Sequence, residues 1–341
     1  MSPIAKHYEL ARHHELVGQS YDADLPDGVR NGINHEMERL EKYAPVEYAI
    51  TKRYLLRYIP EGATVADVGV GVGHYSELLA SRGSNVHLVD VASRLLGAAQ
   101  ERLTRAGLGG QILSITNASA TNLSFIPDES CDAVLMLGPF YNLSLLVDRR
   151  KAAAEARRIL RKGGLLFAAG INRMTMLHWI YSDGPENILE EREWLKLYAR
   201  TGDLPSDEAG VPSIWHLTTI AEFRADFTDF QEIVLAGVES FARGHEENLL
   251  KLSPEQAEVW LDLIEETGRT PEGLGKSHKI PFGRLTEAVL HAPCFVTMVQ
   301  FAPQDTPSCE ISRTKLWSRK RMQTRSDRGN HPNGSTDHQA W

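Results

Sequence analysis

The chain has 341 residues, 42% hydrophobic and 24% charged, with a formal net charge of −8. That length suits one large domain or two modest ones, and the apolar share suffices for a core. No apolar run approaches the ~18 residues of a membrane span, and the His-, Glu- and Arg-rich start lacks an apolar leader core, so a cytoplasmic protein with no membrane partner is expected.

Three cysteines, Cys131, Cys294 and Cys309, are too few and too scattered for a disulfide framework and have no zinc-ligand spacing. The charge is uneven. Residues 304–341 carry seven Lys/Arg against four Asp/Glu, a surplus of three that leaves −11 for the rest. An acidic body argues against a nucleic-acid partner, because a phosphate backbone favours a basic face.

Residues 1–45 are polar and read as an N-terminal arm or lid. Val46–Ile59 is an amphipathic helix stopped by Pro60. From Thr64 the pattern alternates short β-rich runs with helices. Thr64–Val68 is a strand, Tyr75–Arg82 a helix, Asn85–Asp90 a strand and Ser93 to about Ala106 a helix. Gln111–Thr116 and the almost wholly apolar Cys131–Leu137 are the next strands, the latter suited to burial on both faces. A helix Arg149–Leu160, a Lys162-Gly163-Gly164 turn and a strand Leu165–Ala169 follow. Such alternation implies parallel βαβ units with right-handed crossovers.

The rhythm then breaks. Residues 171–216 hold Trp179, Tyr181, Trp194, Tyr198 and Trp215 in a helical context and read as a cap insertion. Helix Thr219–Asp226 and strand Glu232–Gly237 resume the core, a second insertion spans about 244–292, and a last strand is expected at Phe295–Phe301. The Ser-, Arg-, Asn- and Gly-rich tail from Pro303 is expected to be disordered, and its Arg319-Lys320-Arg321 cluster is either a solvated tail or a nuclear address. The domain with its two insertions thus covers residues 46–302 and the tail 303–341.

The informative stretch is Asp67-Val68-Gly69-Val70-Gly71-Val72-Gly73, between a strand and a helix. Glycines there permit a tight turn and close approach of a ligand, and the helix-start N–H groups face polar ligand atoms. Alone it is weak. It is strengthened by an acid before the first glycine and by Asp90 ending the next strand, where a carboxylate can take two ribose hydroxyls. Thr116-Asn117-Ala118 ends the third strand, where a side-chain amide can meet an adenine edge. A nicotinamide dinucleotide fingerprint needs Gly-x-Gly-x-x-Gly; the third glycine would fall on His74 or Ser76, so neither register fits.

Over roughly residues 45–240 the order of elements resembles the class I S-adenosylmethionine-dependent methyltransferases. Asp67–Gly73 match that family's first motif and Asp90 its ribose-binding acid. Asn117 stands where the family usually has Asp. Arg161-Lys162-Gly163-Gly164-Leu165-Leu166 matches its turn into strand five, and Leu137-Gly138-Pro139-Phe140-Tyr141-Asn142 is similar to a segment of a small-molecule subgroup. The resemblance implies an α/β fold with a Rossmann-like, seven-stranded, mostly parallel sheet and helical cap insertions. It implies S-adenosyl-L-methionine as cofactor, held by Tyr21, Asp67, Gly69, Gly71, Gly73, Asp90, Val91, Asn117, Ala118 and Leu137, with Tyr21 and Glu36 of the arm closing over it.

Transfer from a sulfonium mainly requires alignment of the acceptor and exclusion of water, with a general base such as His helping a phenol or alcohol. Tyr141, after the fourth strand, is the foremost candidate beside the methyl; the alternative is a packed aromatic. The Asn or Asp that begins the Asn/Asp-Pro-Pro-Tyr motif of nucleic-acid amino-methyltransferases is missing from Gly138-Pro139-Phe140-Tyr141. His178 and His216 are possible bases. Arg173, beside Asn172, is a candidate for a substrate carboxylate or for a plain ion pair, and Trp179 and Trp215 for an apolar acceptor surface. No metal-ligand constellation stands out. The expected function is methyl transfer to O or N of a small molecule, possible in specialised metabolism. The alternatives are a protein or peptide methyltransferase, a nuclear regulator, or a non-methylating member of the fold. Oligomeric state is not legible.

Overall fold

A computed structural model describes residues 14–24, 32–183, 185–203, 215–276 and 297–303. The expected disordered tail beyond Pro303, residues 1–13 and 25–31 of the N-terminal arm, residues 204–214 of the cap insertion, and residues 277–296, from the second insertion into the start of the expected last strand, lie outside these. The described residues begin with helix α1 (14–22), followed by α2 (Ile33–Glu38), a π-helical turn Arg39–Tyr43 and α3 (Pro45–Tyr58). Pro45 at the first turn of α3 gives up an N–H that would have no helical partner anyway. Val46, Ile50 and Tyr54 then recur every four residues, so one stripe of α3 is buried against the sheet.

The core alternates as the sequence implies: β1 (Thr64–Val68), α4 (His74–Ala80), β2 (Asn85–Asp90), α5 (Ser93–Arg105), β3 (Ile112–Asn117) and β4 (Cys131–Met136). The short α6 (Pro139–Asn142), α7 (Leu146–Ile159), β5 (Leu160–Asn172), α8 (Met174–Asp183) and α9 (Ile188–Thr201) follow. Then come the two-residue β6 (Leu217–Thr218), α10 (Ile220–Ala225), β7 (Phe230–Gly237), α11 (Pro254–Gly268), α12 (Pro271–Lys276) and β8 (Thr297–Pro303).

The strands lie in the order β3-β2-β1-β4-β5-β8-β7, with β6 paired to β5 off this path. Neighbours from β3 to β5 are parallel, and β8 runs antiparallel to both β5 and β7. Six strands of the path therefore point one way and β8 alone is reversed. This is the Rossmann-like α/β architecture, and its strand order reverses beside β1, between β1 and β4. Ligands of open α/β sheets bind at such a switch point, beyond the strands' carboxyl ends. Central strands carry helices on both faces, so Val65, Leu88, Val134, Leu135 and Phe167 are fully buried.

Strand β5 differs from expectation in one respect. It starts at Leu160 instead of after the Lys-Gly-Gly turn. Cys131 pairs with Leu160 and Ala133 with Leu165, so Arg161–Gly164 form a bulge inside the strand. Backbone hydrogen bonding on both sides of the bulge lets the strand begin five residues earlier than the apolar run suggests.

Candidate functional site

The carboxyl ends of β1, β2 and β4 open into a cleft of about 1090 Å3, open solvent at its mouth included. Its floor is the glycine loop, Asp67 to Val72, with Asp90 and Val91 on one side and Leu137 to Pro139 on another. Ala118 and Ser119 line it after β3, and Tyr141 and Asn142 close the β4 side. The chain's beginning supplies the remaining wall: His14, Val17 and Tyr21 from α1, Glu36 from α2, and Arg39 and Leu40 from the π turn. Tyr21, Asp67, Gly69, Gly71, Asp90, Val91, Ala118, Leu137 and Tyr141, far apart in sequence, thus share one cavity.

The glycine loop is shaped for a ligand. Gly71 has φ +56°, a left-handed conformation that disfavours a side chain, and nothing lies within 4 Å of where its Cβ would stand. Gly71 itself lines the cleft. Gly73 acts differently: a Cβ there would meet Ala99 at 3.0 Å, so it seats α4 against α5 outside the cleft wall.

Asp90 is held in place by the backbone around it. Its Oδ2 accepts from Gly71 N–H at 2.9 Å and its Oδ1 from Ala92 N–H at 2.9 Å. Each oxygen has further lone pairs for hydroxyl donors. Burial pushes its carboxyl up to about 6, against the lowering effect of those two amides. Asp67 accepts from Ser76 Oγ at 2.7 Å, and burial, assisted by nearby Asp90, pushes it up to about 7. His74 in the same wall is pushed down to about 4, by burial first and then by Arg102 and Arg39, so its imidazole is neutral at pH 7.

Asn117 does not enter this cleft. Its Nδ2 donates to the carbonyls of Asp90 at 2.9 Å and Val91 at 3.0 Å, pinning the turn that carries Asp90. The side chain faces a shallower outer groove with Gly18, Asp22 and Ser93. Arg173 likewise turns away. It donates to the carbonyls of Leu217 at 3.3 Å, Arg200 at 2.9 Å and Thr201 at 3.0 Å, and pairs with Glu222. These bonds tie the end of β5 to α9, β6 and α10, so the guanidinium is structural instead of substrate-facing.

Trp215 stacks on Tyr141, with ring centroids 5.7 Å apart and planes 8° from parallel. It supports the Tyr141 ring from outside the cleft lining. His216 donates its backbone N–H to Tyr141 O at 2.8 Å, and its Nδ1 lies 3.0 Å from Asp203 Oδ1. Neither His216 nor His178, half-buried on α8, lines the cleft. The Trp179 side chain lies outside what the structure describes.

Sequence reasoning named Glu36 of this group but missed Arg39 and, in the first turn of α3, Glu47. Arg39 donates to Glu36 at 3.1 Å and through Nη1 to both oxygens of Glu47, at 3.1 and 3.0 Å. Glu47 is 2% exposed, and all three residues line the cleft. Burial raises the Glu36 carboxyl, but Arg39 and His35 outweigh it and hold it below its usual value. A charged Glu inside an amphipathic helix stripe was the available signal, since a buried carboxylate needs a partner.

Among the described residues, no group of three or more His, Cys, Asp or Glu is placed to hold a metal ion, and no helix is long and apolar enough to cross a membrane.

The fold, the strand-end acids and the glycine loop are similar to those of the class I S-adenosylmethionine-dependent methyltransferases. Residues 66–168 match a family model described as a methyltransferase domain. An uncharacterized methyltransferase of Mycobacterium tuberculosis is 28% identical over 166 residues, 49% of this chain and 58% of that protein. A ubiquinone/menaquinone biosynthesis C-methyltransferase of Bordetella avium is 31% identical over 33% of this chain and 43% of its own. A ubiquinone biosynthesis O-methyltransferase of Methylocella silvestris is 26% identical over 48% and 63% respectively. The chain thus spans between about two-fifths and just under two-thirds of these relatives' lengths. A Methanosarcina mazei S-adenosylmethionine-dependent methyltransferase structure aligns at 20% identity and TM-score 0.42, covering 54% of this chain and 87% of that one.

Proposed function

We propose that the protein binds S-adenosyl-L-methionine in the cleft and transfers its methyl group to O or N of a small molecule. The observation that carries this reading is the meeting of Gly71, Asp67, Asp90 and Tyr141 in one cavity at the switch point. The fit to the cofactor is physical. Gly71 leaves room for close approach, Asp90 offers two oriented carboxylate oxygens to a ribose diol, and the acids of the floor favour a cationic ligand.

The bound cofactor supplies a methyl group already activated by its positive sulfur. The chain's residues align and shield. Leu137, Gly138 and Pro139 form an apolar wall beside the floor, and Tyr141, braced by Trp215, presents its ring at the acceptor side. The Tyr141 hydroxyl lies 3.7 Å from the Cβ position of Gly138, at the junction of the β1 and β4 loops. There it can donate to, or accept from, an acceptor heteroatom. Holding two reactants in line is worth up to ~7–11 kcal/mol of barrier without a strong base. The stacked Tyr141–Trp215 pair favours an acceptor with a ring or apolar body, and the names of two relatives, which carry C- and O-methyl transfer in quinone synthesis, agree with a ring acceptor.

Calorimetric titration tests the reading first. Saturable binding of S-adenosylmethionine with none of NADH is expected, and Asp90→Ala should weaken it at least about tenfold, since charged hydrogen bonds are at stake. No binding by the wild type would make the glycine loop a scaffold only and sink the assignment.

A further inference from the structure

Helix α5 begins without a cap of its own. The residue before it is Ala92, which has no side-chain oxygen to offer the free N–H groups of the first turn. The missing acceptor comes from α1. Asp22 Oδ1 accepts from the backbone N–H of Arg94 at 2.8 Å and of Leu95 at 3.3 Å, and Oδ2 accepts from Ser93 Oγ at 3.0 Å. Arg94 answers by donating to the Asp22 carbonyl at 2.5 Å and to Asp24 at 2.8 Å.

One helical turn earlier, Gly18 rests on the strand-end turn so closely that a Cβ there would stand 2.6 Å from Val91 O. Any other residue would lift α1 from this seat. The adjoining face of α1 carries His14, Val17 and Tyr21 into the cleft wall, and Tyr21 packs on the cluster of Val72, Ala92 and Leu95. Helix α1 therefore covers the cleft and is fastened to the segment that directly follows Asp90.

We infer that Asp22 is the latch that holds α1 shut over the cofactor cleft, by capping α5 from outside that helix. Asp22 is a positioning residue: it sets how readily the cofactor enters and leaves, through α1 and the turn after Asp90. This rests on the reading of the cleft as an S-adenosylmethionine site. Lifting α1 uncaps α5 and frees two amides next to the ribose-binding acid, so opening the latch loosens the site that α1 covers. The carboxylate also favours the positive end of α5. The Arg94–Asp24 pair is solvent-exposed and contributes little. The cap and the Gly18 seat are the fastening.

The test uses the full-length protein and two readouts. Release of preloaded S-adenosylhomocysteine is followed by stopped flow, and hydrogen exchange of the Arg94 and Leu95 amides is followed without ligand. Asp22→Ala should speed release roughly twofold to thirtyfold, the range spanned by loss of a helix cap, and accelerate exchange at both amides. Asp22→Asn keeps a capping oxygen and should stay within about twofold of wild type. Gly18→Val should speed release with Asp22 intact. Asp22→Ala with wild-type release and exchange would overturn the latch, and so would an Asp22→Asn variant as fast as the alanine variant. A wild type that binds no S-adenosylhomocysteine would overturn the cofactor reading and the latch together, whereas a binding wild type with an unaffected Asp22→Ala overturns the latch alone.

Discussion

Asp67 and Asp90 end adjacent parallel strands, so their carboxyls share one buried corner. Neither has a cationic partner there: Asp67 has a serine hydroxyl and Asp90 two backbone amides. Burial wins over those bonds and raises both groups, to about 7 and about 6. The sign of the linkage follows. A carboxyl whose folded value lies above its unfolded value near 3.8 stabilises the fold below that pH, and the contribution is lost as pH rises through 6 and 7. An Asp67→Asn variant keeps an acceptor for Ser76 but cannot ionise. Its thermal stability relative to wild type should therefore climb between pH 4 and pH 7; a pH-independent difference would mean Asp67 is charged throughout. Binding of a cation to this corner runs the other way, strengthening as the acids ionise. The acids themselves were readable in the sequence as strand-end residues flanking the glycines. Their protonation was not, because it depends on how completely the two neighbouring strands and α4 bury them.

At the level of elements, one side chain links several pieces of the cap insertion. Arg173 follows β5 and gathers the carbonyl ends of α9 and β6 with the first turn of α10. Glu222 in that turn also belongs to a capping box with Thr219. Replacing Arg173 by Met keeps the stem but leaves three carbonyls and a carboxylate without their donor. A loss of about 3 kcal/mol is expected in urea unfolding, with S-adenosylmethionine affinity unchanged. A variant of unaltered stability that lost acceptor turnover would return Arg173 to the substrate. The sequence marked Arg173 as notable but offered a carboxylate clamp and an ion pair equally. Residues 27 to 49 positions away settle the matter, and no local pattern encodes them.

For the molecule as a whole, the strand order is the feature that makes a site. Crossovers to either side of β1 leave an opening over its carboxyl end, and α1, α2 and the π turn wall it. Ligand binding there should stabilise the entire fold by mass action. At a hundredfold excess over the dissociation constant, S-adenosylmethionine should add about 2.7 kcal/mol, read as a raised melting temperature that Asp90→Ala largely abolishes. An unshifted wild type would show that nothing binds the folded state.

The sequence by itself determined the alternation of strands and helices, the glycine loop, and the strand-end acids, because these rest on local periodicity and on backbone conformations that few residues adopt. It also offered the start of the chain as an arm or lid, the reading on which the proposed latch builds. What it did not determine is which of its polar residues face the cleft. Asn117, Gly73 and Arg173 carry motif-like positions yet bond to backbone or seat helices, while Arg39 and Glu47 reached the cleft with no motif at all. Asp22 reads as one polar residue in a polar arm; only the docking of α1 on β2's end makes it the cap of a helix 71 residues further on. Side-chain direction is set by what each element packs against, and that is decided in three dimensions.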